Sequence, residues 1–376
     1  MTYILITFIQ AGFAVICGEA VGLNGRRSFL LYVWHTFWTV VYTVVTSTGP
    51  SDSRTYFREG SSGFYDFSLT PGSSFIRGFS TLLHQGFSVD YMGTNLIVSF
   101  FGFIGLLLLC KLTIELTSCN RNSIVSRFCL LLPFLPSISF WSGGISKDTF
   151  TFLGSMMFLT GLQGRSTSSI SWLLGGICVT GLLRPHVAAI MVVALFLGNV
   201  RDIGKSARAA GLASICILAL VVSKDYLLGY VNLSTFEDYS DYISYRKETT
   251  LEGNYDTVAL SAPLQILSFV FRPFLVEAVS ATTLVSGLEN LYLLLVTFCL
   301  FAVALKKVGK RWPAAVRFAG NVSLLYSICG ICLLGSTIYN LGIAARQKWM
   351  FVPALVVGLM YYALNKSEGG LILKDE

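Results

Sequence analysis

The chain has 376 residues, of which 54% are hydrophobic and only 12% are charged, and its formal net charge is +7. An ordinary soluble domain carries about 25% charged residues. The composition therefore excludes a soluble enzyme with a water-facing surface, a secreted disulfide scaffold and a disordered chain. Several long stretches contain no Asp, Glu, Lys or Arg, and a helix needs roughly 20 apolar residues to cross a bilayer. We therefore predict an all-α polytopic membrane protein with a single transmembrane domain over 1–376.

The apolar stretches predict about eleven transmembrane helices, within a range of about ten to twelve. They are 3–21, 28–48, 91–110, 124–140, 149–163, 168–183, 187–200, 209–223, 286–305, 314–339 and 349–364. The segment 263–280 is a further candidate, interrupted by Arg272, Pro273 and Glu277. It is predicted to lie in the outer interface or to dip partway into the membrane as a re-entrant segment.

The distribution of charge predicts the orientation. Most of the 27 Lys and Arg residues fall in one set of alternate loops, and most of the 20 Asp and Glu residues fall in the other. The basic set should face the cytoplasm by the positive-inside rule. This places the N-terminus outside and the C-terminus in the cytoplasm. The positive net charge is then a signal of topology, and no nucleic-acid partner is expected.

Two long outer segments are predicted, 49–90 and 224–285. The first half of 49–90 carries Arg54, Arg58 and Asp66 among Gly, Ser and aromatic residues. The second half, 73–87, has apolar residues at helical spacing, which is typical of an interfacial amphipathic helix.

The outer segment 224–265 is rich in tyrosines and acids, including Tyr239, Tyr242 and Tyr245. Tyrosine faces stack on sugar rings and carboxylates accept hydrogen bonds from hydroxyls, so a glycan is one candidate ligand. The candidate glycan-binding residues are Arg54, Arg58, Asp66 and these three tyrosines. The alternative is an ordinary solvated loop with interfacial tyrosines.

Ionisable side chains beside apolar helices are the sharpest signal. Four segments carry them on the predicted outer side: Lys147 with Asp148, Arg184 with His186, Arg272 with Glu277, and Arg346 with Lys348. Ionisable groups at membrane level mark functional sites by default, although a single long basic side chain also serves as a snorkelling anchor. Four such clusters on the same predicted side favour a functional site over separate membrane anchors.

The excess of cations in these clusters suits a phosphorylated lipid, because Arg binds phosphate in a bidentate manner and Lys acts as a point charge. Arg184, Arg272 and Arg346 are predicted to converge on a lipid diphosphate, assisted by Lys147 and Lys348. The candidate general bases are Asp52, Asp148, His186 and Glu277, with the first two ranked highest. Asp148 also fits a helix N-terminal residue or an ion-pair partner. Metal-binding and nucleotide-binding motifs are absent from the sequence, so neither a metal nor a cofactor is expected.

Three short segments resemble a known family. They are S-D-S-x-x-Y at Ser51–Tyr56, L-P-S-x-x-F-W-S-G-G-x-x-K-D at Leu135–Asp148, and F-R-P-F followed by E-A at Phe271–Ala278. Together with the topology they resemble bacterial Wzy-type O-antigen and exopolysaccharide repeat-unit polymerases and related GT-C membrane glycosyltransferases. Two departures are the absence of one dominant outer loop and of a D-D or D-E pair after the first helix.

The resemblance implies a GT-C-like helical fold in the bacterial inner membrane and a metal-independent reaction on an undecaprenyl-diphosphate-linked oligosaccharide. Arg184, Arg272 and Arg346 are the best matches to the outer-loop arginines of such polymerases. A chain-length regulator is a candidate protein partner. The open alternatives are a GT-C transferase adding one sugar from a polyprenyl-phosphate donor, a lipid-linked oligosaccharide flippase, and a non-catalytic scaffold.

Overall fold

The computed structural model describes residues 2–49, 51–62, 72–164, 166–198, 260–338 and 340–365. Within these ranges 84% of the residues are helical and no strand is present, so the all-α prediction is confirmed. We number the α-helices in chain order as α1 Thr2–Ala20, α2 Gly25–Thr48, α3 Asp52–Ser62, α4 Ser73–Thr81, α5 Tyr91–Thr117, α6 Ile124–Cys129, α7 Pro136–Trp141, α8 Lys147–Gly161, α9 Thr167–Leu183, α10 Pro185–Gly198, α11 Ala262–Phe271, α12 Ala281–Leu305, α13 Ala314–Thr337, α14 Leu341–Gln347 and α15 Val352–Leu364.

Six helices of the described ranges are long and apolar enough to cross a membrane. They are Tyr3–Ala20, Gly25–Thr48, Tyr91–Asn120, Ile124–Trp141, Ala281–Leu305 and Ala314–Thr337. Two of them join consecutive elements: Tyr91–Asn120 is α5 with the 3-10 turn Ser118–Asn120, and Ile124–Trp141 runs from α6 to α7. The pair Leu341–Met350 and Val352–Leu364, bent by 45°, makes a seventh if it is counted as one broken span. The chain is thus a polytopic membrane protein by helix length and composition, whereas the count of eleven spans and the orientation stay predictions. The predicted span 209–223 lies outside the described residues.

The predicted span 149–163 corresponds to α8, which is shorter than a bilayer-crossing helix. Its 15 residues extend about 22 Å, whereas the hydrocarbon core is about 30 Å thick. Thirteen of them are buried, including Phe152, Met156 and Phe158. The helix therefore packs against protein along its whole length.

The chain divides into two compact units, 1–184 and 185–376, and the single transmembrane domain stays a prediction. In the first unit α5 is the central helix, and α1, α2 and α8 pack against it. Its residues from Leu106 to Leu109 are almost completely buried. In contrast, α1 exposes large side chains such as Ile4 and Phe8, as expected of a helix that faces lipid.

The helix predicted over 73–87 is present as α4 followed by a π-helical turn at Leu82–Gly86. Part of its apolar face packs against protein, because Ile76 and Leu83 are buried with Phe150 in the core of the first unit, and the interfacial position of the helix stays a prediction. The Phe79 and Phe150 rings meet edge to face at 5.9 Å. Leu82 and Phe87 are exposed, so protein covers only part of the apolar face.

In the second unit α13 packs against α10, α11 and α15. The extra candidate segment 263–280 begins as α11, which ends before the cis Arg272–Pro273 peptide. A short 3-10 turn at Leu275–Glu277 follows, and Ser280 caps the N-terminus of α12. The interfacial and re-entrant positions both stay predictions. Local breaks at this segment and between α14 and α15 place ionisable residues beside apolar helices.

Candidate functional site

The segment before α8 sets the position of Lys147 and Asp148. Ser146 caps the helix by accepting a hydrogen bond from the Thr149 N–H at 3.1 Å. The Thr149 hydroxyl in turn donates to the Gly144 carbonyl at 2.6 Å. A Cβ at Gly144 would lie 2.3 Å from the Tyr42 ring and 2.5 Å from Asn95 Oδ1, so only glycine fits there.

Asp148 and Arg184 form a buried ion pair. Arg184 Nη2 donates to Asp148 Oδ1 at 2.6 Å, and the two side chains are 8% and 7% exposed, respectively. Arg184 directly follows α9, and its N–H donates to the Thr180 carbonyl at 2.7 Å. Asp148 also lies in the first turn of α8, where the helix dipole favours a negative charge. Asp148 is thus an ion-pair partner, and it balances the charge of Arg184.

Asn95 joins two of the three segments that carried the family resemblance. Its Oδ1 accepts hydrogen bonds from the Ile145 N–H at 2.9 Å and from the Ser53 hydroxyl at 3.4 Å. The Tyr91 hydroxyl donates to Ser53 at 3.0 Å. Sequence reasoning did not select Asn95, although it is the one amide side chain in the predicted span 91–110. The S-D-S-x-x-Y and S-G-G-x-x-K-D segments therefore lie together in the first unit.

The other candidates of the first unit are more accessible. Asp52 is exposed and begins α3. Arg54 is also exposed and donates to the Ser47 carbonyl at 2.9 Å, while Arg58 projects from the same helix as another exposed residue. The half-buried Lys147 donates to the Ser73 hydroxyl at 3.2 Å. Of the predicted bases in this unit, Asp52 is thus the one that solvent reaches.

In the second unit Arg272 and Glu277 form a multiply bonded pair. Arg272 Nε donates to Oε1 and Oε2 of Glu277 at 2.9 and 3.1 Å, and Nη2 also donates to Oε1. The Phe274 N–H adds a bond to Oε2 at 2.7 Å. Burial raises the pKa of Glu277, but the hydrogen bonds from Arg272 and the Phe274 N–H, with the charge of Arg272, outweigh burial and lower the pKa. The pair thus holds Glu277 as a carboxylate.

This lowered pKa predicts an acid-sensitive turn. Glu277 contributes stability that is present above its unfolded-state pKa and is lost as the pH falls through the lower folded-state pKa. We expect the thermal midpoint of the wild type to fall more steeply than that of Glu277→Gln when the pH is lowered from 6 towards 3. Parallel melting curves of the two proteins in the same detergent over this range would contradict the assignment.

Lys348 is the most deeply buried cation among the candidates, with 2% exposure. Its Nζ donates to Asn290 Oδ1 and to the Val270 carbonyl, the latter at 3.3 Å. Glu289, itself 5% exposed, interacts with it electrostatically. Asn290 Nδ2 donates to the Pro273 carbonyl at 2.9 Å, which links Lys348 to the Arg272–Pro273 turn. Sequence reasoning missed Glu289, although an acid inside the predicted span 286–305 was an available signal.

The structure describes only two of the remaining candidates, Arg346 and His186. Arg346 is half-buried in the last turn of α14, and His186 is half-buried in the first turn of α10. Asp66, Tyr239, Tyr242 and Tyr245 lie outside the described residues. Arg184 belongs to the first unit and the other two predicted diphosphate arginines to the second. The convergence of the three stays a prediction.

Comparisons of the chain with models of protein families, with curated proteins and with solved structures found no match. Across the described ranges no group of three or more His, Cys, Asp or Glu residues could hold a metal ion. Function is therefore inferred from two clusters: the first-unit cluster of Lys147, Asp148 and Arg184, and the second-unit cluster of Arg272, Glu277, Glu289, Asn290 and Lys348.

Proposed function

We propose that the chain is a membrane glycosyltransferase that polymerises undecaprenyl-diphosphate-linked oligosaccharide repeat units on the outer face of the bacterial inner membrane. One observation carries the proposal: each unit fixes cationic side chains at a break between apolar helices. Lys147 and Arg184 do so in the first unit, and Arg272 and Lys348 in the second. Cations fixed beside apolar helices suit a diphosphate whose polyprenyl tail lies in the bilayer.

In the proposed reaction a hydroxyl oxygen of the acceptor repeat unit attacks C1 of the growing glycan. The bond between C1 and its diphosphate oxygen breaks, and the lipid diphosphate leaves with the electron pair. The hydroxyl proton passes to a carboxylate acting as general base. Fixed cations stabilise the charge that develops on the leaving diphosphate. No metal or cofactor takes part in the proposed reaction.

We assign roles to the candidate residues from their exposure and their contacts. Asp148 is held by Arg184, so we assign the base to the exposed Asp52. Arg272, Arg346 and Lys348, with Lys147 and Arg184, are the proposed diphosphate contacts. Arg54 and Arg58, on the same helix as Asp52, are proposed to contact the glycan.

We expect Asp52→Asn to lower the rate of polymer formation by about 100-fold or more, because general bases typically contribute 10²–10⁴-fold. Its thermal midpoint should stay at the wild-type value, since Asp52 is exposed. The rate is measured per amount of folded protein, with Arg54→Gln as a control that changes binding and keeps the base. A normal rate for Asp52→Asn would remove Asp52 from the mechanism.

The proposed activity is tested with the purified full chain and lipid-linked repeat units as the sole substrate. A ladder of products that differ by whole repeat units is expected. Turnover only after a polyprenyl-phosphate monosaccharide is added, with one sugar transferred, would instead identify a single-sugar transferase.

A second candidate function is transport of a lipid-linked oligosaccharide. The buried Lys348–Glu289 interaction favours it, because transporters use paired charges inside their membrane segments. In vesicles, a flippase moves the lipid-linked repeat unit between leaflets without forming a glycosidic bond. Translocation without any ladder would select this alternative.

A further inference from the structure

The second unit contains a cavity of about 570 Å³ outside the proposed site. It lies where α12 ends and α13 begins, and α10 and α15 contribute residues to it. Its apolar wall includes Phe301, Leu305, Leu324 and Leu359. Ligand pockets typically measure about 300–1,000 Å³, so the cavity is large enough for part of an amphiphile.

Basic and aromatic side chains line the same cavity. Lys307 Nζ donates to the carbonyls of Ala363 and Asn365, at 2.6 and 3.0 Å, and lies 5.9 Å from the centre of the Trp312 ring. These bonds use two of the three ammonium donors. Burial, and then the charge of Lys310, lower the pKa of Lys307. Both effects disfavour the charged form of Lys307, so an anion beside the ammonium group would stabilise it.

Arg317 is the second cation of the cavity. It is half-buried, and in the described part of the chain its guanidinium has neither an ion pair nor a hydrogen bond. Removing an unpaired charge from water is costly. Among the described residues the lining includes no Asp or Glu, and the segment 306–317 contains five Lys and Arg residues and no acid. Within the described part of the chain the cavity therefore combines an apolar wall with positive charge that no lining acid balances.

We propose that this cavity binds an anionic phospholipid of the surrounding bilayer. The phosphate contacts Arg317 and the third ammonium donor of Lys307, and an acyl chain lies along the wall formed by Phe301, Leu305 and Leu324. The cavity is at the ends of two membrane-spanning helices, where basic pockets between helices bind lipid head groups. The side chains of Trp312 and Tyr362 supply the aromatic groups that are enriched at this level of a membrane.

The positive-inside distribution assigns the bound lipid to the cytoplasmic leaflet, because 306–311 is a predicted cytoplasmic loop. This leaflet is opposite to the proposed glycan chemistry. The lipid site is thus independent of the proposed function, and either can fail alone.

The test compares phosphatidylglycerol with phosphatidylcholine of the same acyl chains, added to the delipidated full chain in detergent. Phosphatidylglycerol is expected to raise the thermal midpoint by several degrees more than phosphatidylcholine, and to remain bound in native mass spectrometry. Glycerol 3-phosphate, which has the phosphate without acyl chains, is expected to cause no shift. An equal shift with glycerol 3-phosphate would identify a phosphate site instead of a lipid site.

Two variants locate the effect in the cavity. Arg317→Gln is expected to lose at least half of the difference between the thermal-midpoint shifts that the two lipids cause. Arg127 is an exposed basic residue of α6 in the other unit, and Arg127→Gln should keep this difference. Ala304→Phe adds volume at the cavity wall without changing charge, and it should reduce lipid retention. If Arg317→Gln does not fold, Ala304→Phe alone tests whether the lipid binds in the cavity. The proposal would be overturned if folded Arg317→Gln and Ala304→Phe retained phosphatidylglycerol as well as the wild type does. Equal thermal-midpoint shifts of the wild type with the two lipids would also overturn it.

Discussion

Replacing Arg184 with Met is expected to lower the free energy of unfolding of the chain by about 3–5 kcal/mol, the usual cost of removing one partner of a buried ion pair. The variant leaves Asp148 as a buried carboxylate without its cation, in a side chain that is 7% exposed. The loss is measured by denaturant unfolding or thermal melting in one detergent.

A matched control is Lys111→Met, which removes an ion pair with Glu115 at 3.9 Å whose side chains are 27% and 47% exposed. Surface pairs of this kind contribute about 0–1 kcal/mol. The double variant Asp148→Asn with Arg184→Met should recover part of the loss, because no uncompensated charge remains. A single variant as stable as the Lys111 control would show that the pair is not buried as described.

Lys348→Met is expected to cause a comparable loss of about 3–5 kcal/mol. The change leaves Glu289 buried without its cation, and it removes the donor to Asn290 Oδ1. Since Asn290 also holds the Pro273 carbonyl, the Arg272–Pro273 turn should loosen. Lys306→Met, at an exposed position, is the control and should change stability little.

The double variant Lys348→Met with Glu289→Gln separates structure from function. It should recover much of the stability, because both charges are removed together. If Lys348 contacts the lipid diphosphate, the recovered protein should still form polymer far more slowly than the wild type. Full recovery of both stability and polymer would limit Lys348 to a structural role.

The long helices could be predicted from the sequence because 91–110 and 318–339 are long, mostly apolar stretches without Asp, Glu, Lys or Arg, which leave few alternatives to a helix. The helix at 73–87 could also be predicted, but which of its apolar residues pack against protein could not. An amphipathic pattern has the same spacing whether its apolar face meets lipid or protein. Here Ile76 and Leu83 meet the core of the first unit.

The candidate site was predicted in part for a related reason. The sequence indicated that Asp148 and Arg184 lie at helix ends, but 36 positions separate them. Their pairing depends on how α8 packs against α9. The Arg272–Glu277 pair is local, so the cluster could be predicted from spacing alone. The contact of Lys348 with Asn290 joins residues 58 positions apart, which no local pattern encodes.

The central claim, polymerisation from a diphosphate-linked donor, is tested most directly by identifying the lipid that the purified chain releases from lipid-linked repeat units. We predict one undecaprenyl diphosphate for each glycosidic bond formed, because the C1–diphosphate bond of the growing glycan breaks at every step. Release of undecaprenyl monophosphate, or no lipid release while repeat units cross the bilayer of a vesicle, would contradict the proposed polymerase.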